Sequence, residues 1–223
     1  MKIHSSGRSN IETLNTWYDG FVLCSRISKM DFLLLGNHPF LDFINTLPVH
    51  GGEEFELIGD GGSYLNLLGR LDIKNRPNLR KIGDREGIQI SALAREMRED
   101  FRRFLLANDE GSSGPSVIDV VNGWFERLGP PSIAREGDQF VLNYQSNESE
   151  KIAPEICVIL RSGLELITSP AFSKVRKCAN PQCVLWYLDT TKSRTRRWCS
   201  MTMCGNVEKA RSFRERHQAK KIS

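Results

Sequence analysis

The stretch Cys178–Cys204, CANPQCVLWYLDTTKSRTRRWCSMTMC, decides how the rest of the chain is read. Four residues separate Cys178 from Cys183, four separate Cys199 from Cys204, and fifteen lie between the pairs. Two short-range pairs joined by one loop suit a tetrahedral ion held by four thiolates at about 2.3 Å. The expected cofactor is a structural Zn2+, because four protein ligands leave no open position for catalysis. Ala179-Asn180-Pro181-Gln182 is turn-forming and fits a knuckle. Val184–Leu188 has strand character, and Thr195–Cys199 is expected to return beside it as the second strand of a hairpin. Met203-Cys204-Gly205-Asn206 then leads into a helix over Val207–Lys220, on which Ala210, Phe213 and His217 share a face. Knuckle, hairpin and a helix with the last ligand near its start is the order of a treble-clef finger. A helix start also favours the thiolate of Cys204.

Working outward, charge follows the cysteines. Residues 174–223 carry thirteen Lys and Arg against three Asp and Glu, a net +10, while residues 1–173 carry eighteen against twenty-four, a net −6. Such a split points to a basic module that meets a polyanion and an acidic body that does not. The candidate nucleic-acid contacts are Arg194, Arg196 and Arg197 on the expected hairpin, with Lys209, Arg211, Arg214, Arg216, Lys220 and Lys221 on the helix. DNA is the expected partner and RNA an open alternative. The competing reading is a solvated, charged terminal helix; scarce acidic partners at i+4 and the like charge of the hairpin speak against it. Trp186, Tyr187 and Trp198 are read as filling the finger's small core and its seam with the body rather than as base-stacking platforms.

The body, residues 31–170, reads as α+β and mostly helical with a small β-sheet. Phe32–Leu35 is short, apolar and closed by Gly36, and is expected to be a strand. Asn37-His38-Pro39 starts a helix in which Phe40, Phe43, Ile44 and Leu47 make one apolar face. His38 is read as a cap or packing residue. Asp42, Asn45 and Thr46 share the other side as a polar stripe. They form either one wall of a small-ligand pocket, which would make the body a sensor of a small-molecule effector, or a satisfied hydrogen-bond network. A short strand is expected at Phe55–Ile58, and helices around Tyr64–Leu71, Ile90–Leu106, Val117–Leu128 and Pro154–Ile167. A hairpin is expected from Ile133 to Tyr144.

Residues 1–30 are polar and patternless apart from Trp17, Tyr18, Phe21 and Val22. They are expected to be a flexible extension or an over-long start, since Met30 precedes the first coherent element. No apolar run approaches the roughly 20 residues of a membrane span, and no secretory signal is apparent. A cytoplasmic location with reduced cysteines fits better than a secreted disulfide framework. With no nucleophile-plus-base motif, phosphate loop or dinucleotide fingerprint, an enzyme is not expected.

HPFLDFINT at 38–46, the CANPQC knuckle, LWYLDTTKSRTRRWCS, and CGN at 204–206 followed by KARSFRERH carry a family resemblance over about residues 31–217. The chain resembles bacterial proteins with an ABATE domain followed by a CGNR zinc finger. The resemblance implies a stress-linked transcription regulator whose finger binds DNA. It also implies metal ligation by Cys178, Cys183, Cys199 and Cys204, with Gly205 and Asn206 matching the signature. One position departs: the signature's Arg is here Val207, so either a DNA contact is missing or a brace of the finger is replaced. The expectation is thus a DNA-binding regulator with its finger at residues 171–223. The alternative is a finger that holds a protein partner or makes a homodimer without nucleic acid.

Overall fold

Helix α1 (Pro39–Ile44) is six residues long, yet the body is packed around it. His38 caps it in extended conformation, its Nδ1 accepting the Phe40 amide at 3.3 Å. Pro39 sits in the first turn, where a missing amide costs nothing. Phe40, Leu41, Phe43 and Ile44 are all buried. The Phe40 ring meets Phe101 edge-on at 5.0 Å, and Phe43 meets Tyr64 at 6.4 Å. A Cβ at Gly163 would stand 2.6 Å from Phe40 Cε2, so a glycine is what lets the fifth helix close over this ring.

The computed structural model describes residues 31–50, 52–73, 82–128, 131–137, 139–144 and 154–222. The expected N-terminal extension, residues 1–30, lies outside them. After α1 come the two-residue strands β1 (Val49–His50) and β2 (Glu53–Glu54). Helix α2 (Gly61–Arg70) starts in a capping box between Asp60 and Ser63. Helix α3 (Asp84–Glu110) ends at Gly111, whose φ of 61° is the left-handed turn that glycine tolerates. Helix α4 (Val117–Leu128) leans on α3, its Trp124 donating to Asp100 Oδ2 at 3.0 Å. Strands β3 (Pro131–Glu136) and β4 (Gln139–Tyr144) pair antiparallel with Ile133 opposite Leu142. Helix α5 (Pro154–Ile167) covers α1 and α3, and a 3₁₀ turn at Pro170–Lys174 leads to β5 (Val175–Lys177). Strand β6 (Trp186–Leu188), a π-helical turn at Met201–Gly205 and helix α6 (Asn206–Ile222) complete the chain.

The architecture is α+β and mostly helical, with the four-cysteine cluster C-terminal. Among the described residues the strands make three separate two-stranded ladders rather than one sheet. No described helix is long and apolar enough to cross a membrane.

Three expected strands are corrected. Phe32–Leu35 is irregular, because the Leu35 amide bonds Leu33 O at 2.9 Å and so leaves no regular ladder. Phe55–Ile58 is not a strand: the ladder lies before it, Val49 opposite Glu54, and is prolonged only by Phe55 N to Pro48 O and Leu57 N to Thr46 O. Thr195–Cys199 is not the partner of β6, which pairs with β5, Val175 opposite Leu188.

The boundary near residue 170 does not divide the packing. Val175 and Trp186 are buried in the body's core, while Leu33 and Leu35 pack on the finger's own cluster of Leu185, Tyr187, Cys178 and Cys199.

Candidate metal centre

Strand β5 delivers Cys178, and the Asn180 turn returns Cys183: Cys183 N bonds Asn180 O, and Gln182 N bonds Asn180 Oδ1, both at 2.9 Å. Cys199 approaches from the far side of the loop and Cys204 from the π-helical turn ahead of α6. All four Sγ atoms lie within 4.8 Å of one another. Cys183 and Cys199 are 3.8 Å apart, Cys199 and Cys204 3.6 Å. A tetrahedron of bonds about 2.3 Å long has edges of about 3.8 Å, whereas a disulfide would need about 2.05 Å. The donor set therefore fits Zn2+ and not a bridge. Four thiols this close cannot all ionise unaided. Hydrogen bonds from Cys183, Cys199 and Cys204 hold the Cys178 thiol down, and bonding to Cys178 together with burial holds Cys199 up. A dication removes that conflict. The Cys199 amide also donates to Cys178 Sγ at 3.4 Å, the kind of outer contact that orients a thiolate. At Gly205 a Cβ would come 2.7 Å from Met201 Sδ and 3.1 Å from Trp198 Cδ1, so any larger residue there would have to displace the exposed Met201 side chain and crowd the Trp198 ring.

Arg196 is placed inside this framework. Its Nε donates to Trp198 O at 2.9 Å, and its Nη2 bonds Leu35 O at 3.3 Å and the carbonyl of Cys199. The guanidinium lies 4.1 Å over the Tyr187 ring, whose hydroxyl donates back to Arg196 O at 2.7 Å. Its Nε and Nη2 are turned onto the protein rather than outward. Arg194 and Arg197 are exposed; Arg194 has a φ of 51°, and Arg197 lies 5.1 Å over the Trp198 ring. Trp186 and Tyr187 are buried, Trp186 at the seam and Tyr187 in the finger.

On α6, Lys209, Arg211, Arg214 and Arg216 are exposed. Among the described ion pairs of α6, Arg211 has acidic partners, Glu208 at 2.6 Å and Glu215 at 3.7 Å, whereas Lys209, Arg214 and Arg216 have none. Arg216 Nε bonds Ser212 O at 3.1 Å. Lys220 and Lys221 fall in the last turns of α6, of which the backbone alone is described.

The polar stripe is drawn inward. Asn45 is 3% exposed, donates from Nδ2 to Trp186 O at 2.8 Å and accepts Trp186 N on Oδ1 at 2.8 Å. Its amide thus imitates a neighbouring strand along the free edge of β6. Thr46 donates to Phe43 O at 2.8 Å and accepts from Arg98 at 3.0 Å. Asp42 Oδ1 accepts Gly36 N at 2.7 Å. Burial pushes the Asp42 carboxyl up to about 6 in spite of that bond. The folded protein therefore holds this proton more tightly than the unfolded chain. The associated stability is full below the unfolded value of 3.8 and is lost as pH rises through about 6. Asp42→Asn keeps the acceptor and removes the charge. It is expected to be near neutral at about pH 4 and to stabilise by about 2 kcal/mol at about pH 8, read by thermal unfolding at both.

Arg98 is a residue that the sequence reading passed over. It is 2% exposed and joins Thr46 to Glu56 through two bonds of 2.8 and 2.6 Å, with Glu99 on its Nε at 2.9 Å. Elsewhere a cleft of about 600 Å³ runs beside the seam, floored by Leu105, Phe172, Val175 and Trp186, with Asp109 and Arg176 among its lining.

Two family models match the chain in order. One described as "ABATE: Putative stress-induced transcription regulator" matches residues 37–170, and one described as "CGNR zinc finger" matches residues 174–217. No curated protein matches it.

Proposed function

Since the chain belongs to the ABATE family and carries a CGNR zinc finger behind the ABATE domain, we propose that it regulates transcription by binding double-stranded DNA through α6, with Zn2+ holding the finger in shape. Cys178, Cys183, Cys199 and Cys204 would hold the ion, which supplies folding free energy and no chemistry. Both matched families are described in regulatory and zinc-binding terms, not enzymatic ones.

The observation that carries the DNA reading is the solvent-facing cationic side of α6. Residues 211–218 are all exposed, and Lys209, Arg214 and Arg216 have no acidic partner among the described ion pairs. An α-helix of 10–12 Å diameter fits the major groove, and free Arg and Lys side chains meet phosphates or guanine edges. Arg194 and Arg197, exposed on the preceding loop, extend the same charge. Arg196 is left out of the contact set and assigned a bracing role.

These assignments separate in one experiment. Joint replacement of Lys209, Arg214 and Arg216 by Ala is expected to weaken duplex binding at least tenfold. It should flatten the salt dependence by roughly 0.9 log unit for each phosphate that is no longer neutralised, at unchanged zinc content. Arg196→Ala is expected to lower thermal stability by about 1 kcal/mol, because it removes the donors from three part-buried carbonyls, and to loosen the metal. Equal DNA binding by the triple variant, measured by fluorescence anisotropy across salt, would remove α6 from the reading.

Val207, where the signature has Arg, is 46% exposed in the first turn of α6. It belongs to neither described hydrophobic cluster, so the departure bears on the surface. Val207→Arg is expected to tighten duplex binding severalfold and to steepen the salt slope by about 0.9, with melting temperature unchanged.

For the body's proposed sensing role, the polar stripe is the weaker candidate for a ligand site, because Asn45 and Thr46 already spend hydrogen bonds on the fold. The cleft beside the seam, next to Trp186, is the better location for an effector.

A further inference from the structure

We propose that Phe213 reads thymine: its ring packs against a thymine C5 methyl in the major groove while cations on either side hold the flanking phosphates. The inference rests on α6 being the DNA-facing element, as proposed above.

At 100° per residue the side chains of α6 sort into two sides. Along one lie Glu208, Arg211 and Glu215, tied together at 2.6 and 3.7 Å, with Glu208 only 7% exposed. Phe213 lies on the other, 55% exposed and part of neither hydrophobic core. Lys209 and Arg216 fall on one flank of it, Val207 and Arg214 on the other. The ring is held in place: its centroid is 3.9 Å from that of His217, the planes tilted by 32°, and His217 Nδ1 lies 3.0 Å from Phe213 O. An exposed aromatic ridge therefore stands between Lys209 and Arg216 on one flank and Arg214 on the other.

That pattern matches a groove. The major groove, about 12 Å wide, admits the helix, whereas the minor groove, about 6 Å wide, does not. Phosphate rows border it on both sides, as the cations border the ring. Base edges in the major groove offer hydrogen-bonding groups and a single apolar feature, the thymine methyl. A phenyl ring can make no directional bond to the former, so the latter is its partner.

The test begins by selecting bound duplexes from a random pool with the full-length zinc-loaded protein. Every thymine in the winning duplex is then replaced by uracil, which removes the methyl and nothing else. For the unaltered protein, affinity is expected to fall about fourfold for each contacted methyl. Phe213→Ala should weaken the thymine duplex by at least as much, bind the uracil duplex no more weakly than the thymine one, and keep its zinc content and salt slope. Equal binding of the two duplexes by the unaltered protein, or a thymine preference that survives in Phe213→Ala, would overturn the inference while leaving DNA binding by α6 intact. Failure to bind any duplex would sink that underlying reading. A preference for single-stranded RNA would overturn the inference as well. So would self-association of the protein alone, by sedimentation, that Phe213→Ala abolishes without changing DNA affinity, since the ring would then belong to a second copy.

Discussion

Cys199→Ser is expected to abolish stoichiometric zinc binding and to unfold the finger. In isolated zinc modules the metal supplies on the order of 10 kcal/mol, and a unit with so small a core has nothing comparable to replace it. Cys199 is the most sensitive of the four positions. It is 1% exposed, its sulfur neighbours both Cys183 and Cys204, and its amide donates to Cys178 Sγ. The damage should not stop at the finger. Trp186 is buried in the body's core and Leu33 and Leu35 pack on the finger's, so the body's melting temperature is expected to fall by several degrees. Metal analysis, the absorption of the cobalt-substituted protein and differential scanning calorimetry check the three consequences separately. Full metal content in the variant would refute the tetrathiolate assignment.

Arg98→Ala is expected to destabilise the body by about 3 kcal/mol. The guanidinium is buried, whereas Glu56 opposite is 28% exposed; once stranded, the carboxylate regains some water, which keeps the loss toward the lower end for a broken buried pair. The Thr46 hydroxyl loses its donor at the same time. Arg98→Lys keeps the charge but not the two-pronged fit to Glu56, and should lose about half as much. Denaturant unfolding of the three proteins at one pH reads the series. Equal midpoints would make the pair ornamental.

How far the chain could be read before its coordinates depended on the range of the interaction. Spacing found α4 and α5 at the bounds they have, and the heart of α3, because helical periodicity is a local property of Val117–Leu128, Pro154–Ile167 and Ile90–Leu106. The cysteine cluster was legible for a different reason: metal-ligand spacing is chemistry written into the chain.

Strand partners were not. Whether β6 would pair with the segment after it or with β5 is decided by who claims the free groups. Arg197 O is taken by Ala179 N at 2.8 Å, and Asp189 turns the loop by accepting from Thr191, leaving no returning strand. Arg196 has the same sign as Arg197, and nothing in sign alone distinguishes a brace from a surface contact. Arg98 did leave a signal, an arginine four residues after Ala94 on the apolar side of α3 beside Met97 and Phe101. A charged group in such company needs a buried partner, and Glu56 is that partner.

Asn45 has a bearing on ancestry and engineering. Small metal-bound modules are often treated as cassettes to be moved between hosts. Here the β6 backbone borrows an amide from the host, and Gly36 O accepts Leu188 N at 2.8 Å besides. A transplanted finger would arrive with the Trp186 backbone unsatisfied and its indole bare. A working chimaera must therefore carry the Gly36–Asn45 segment along with the cysteines, and lineages that exchange the finger alone should be rare.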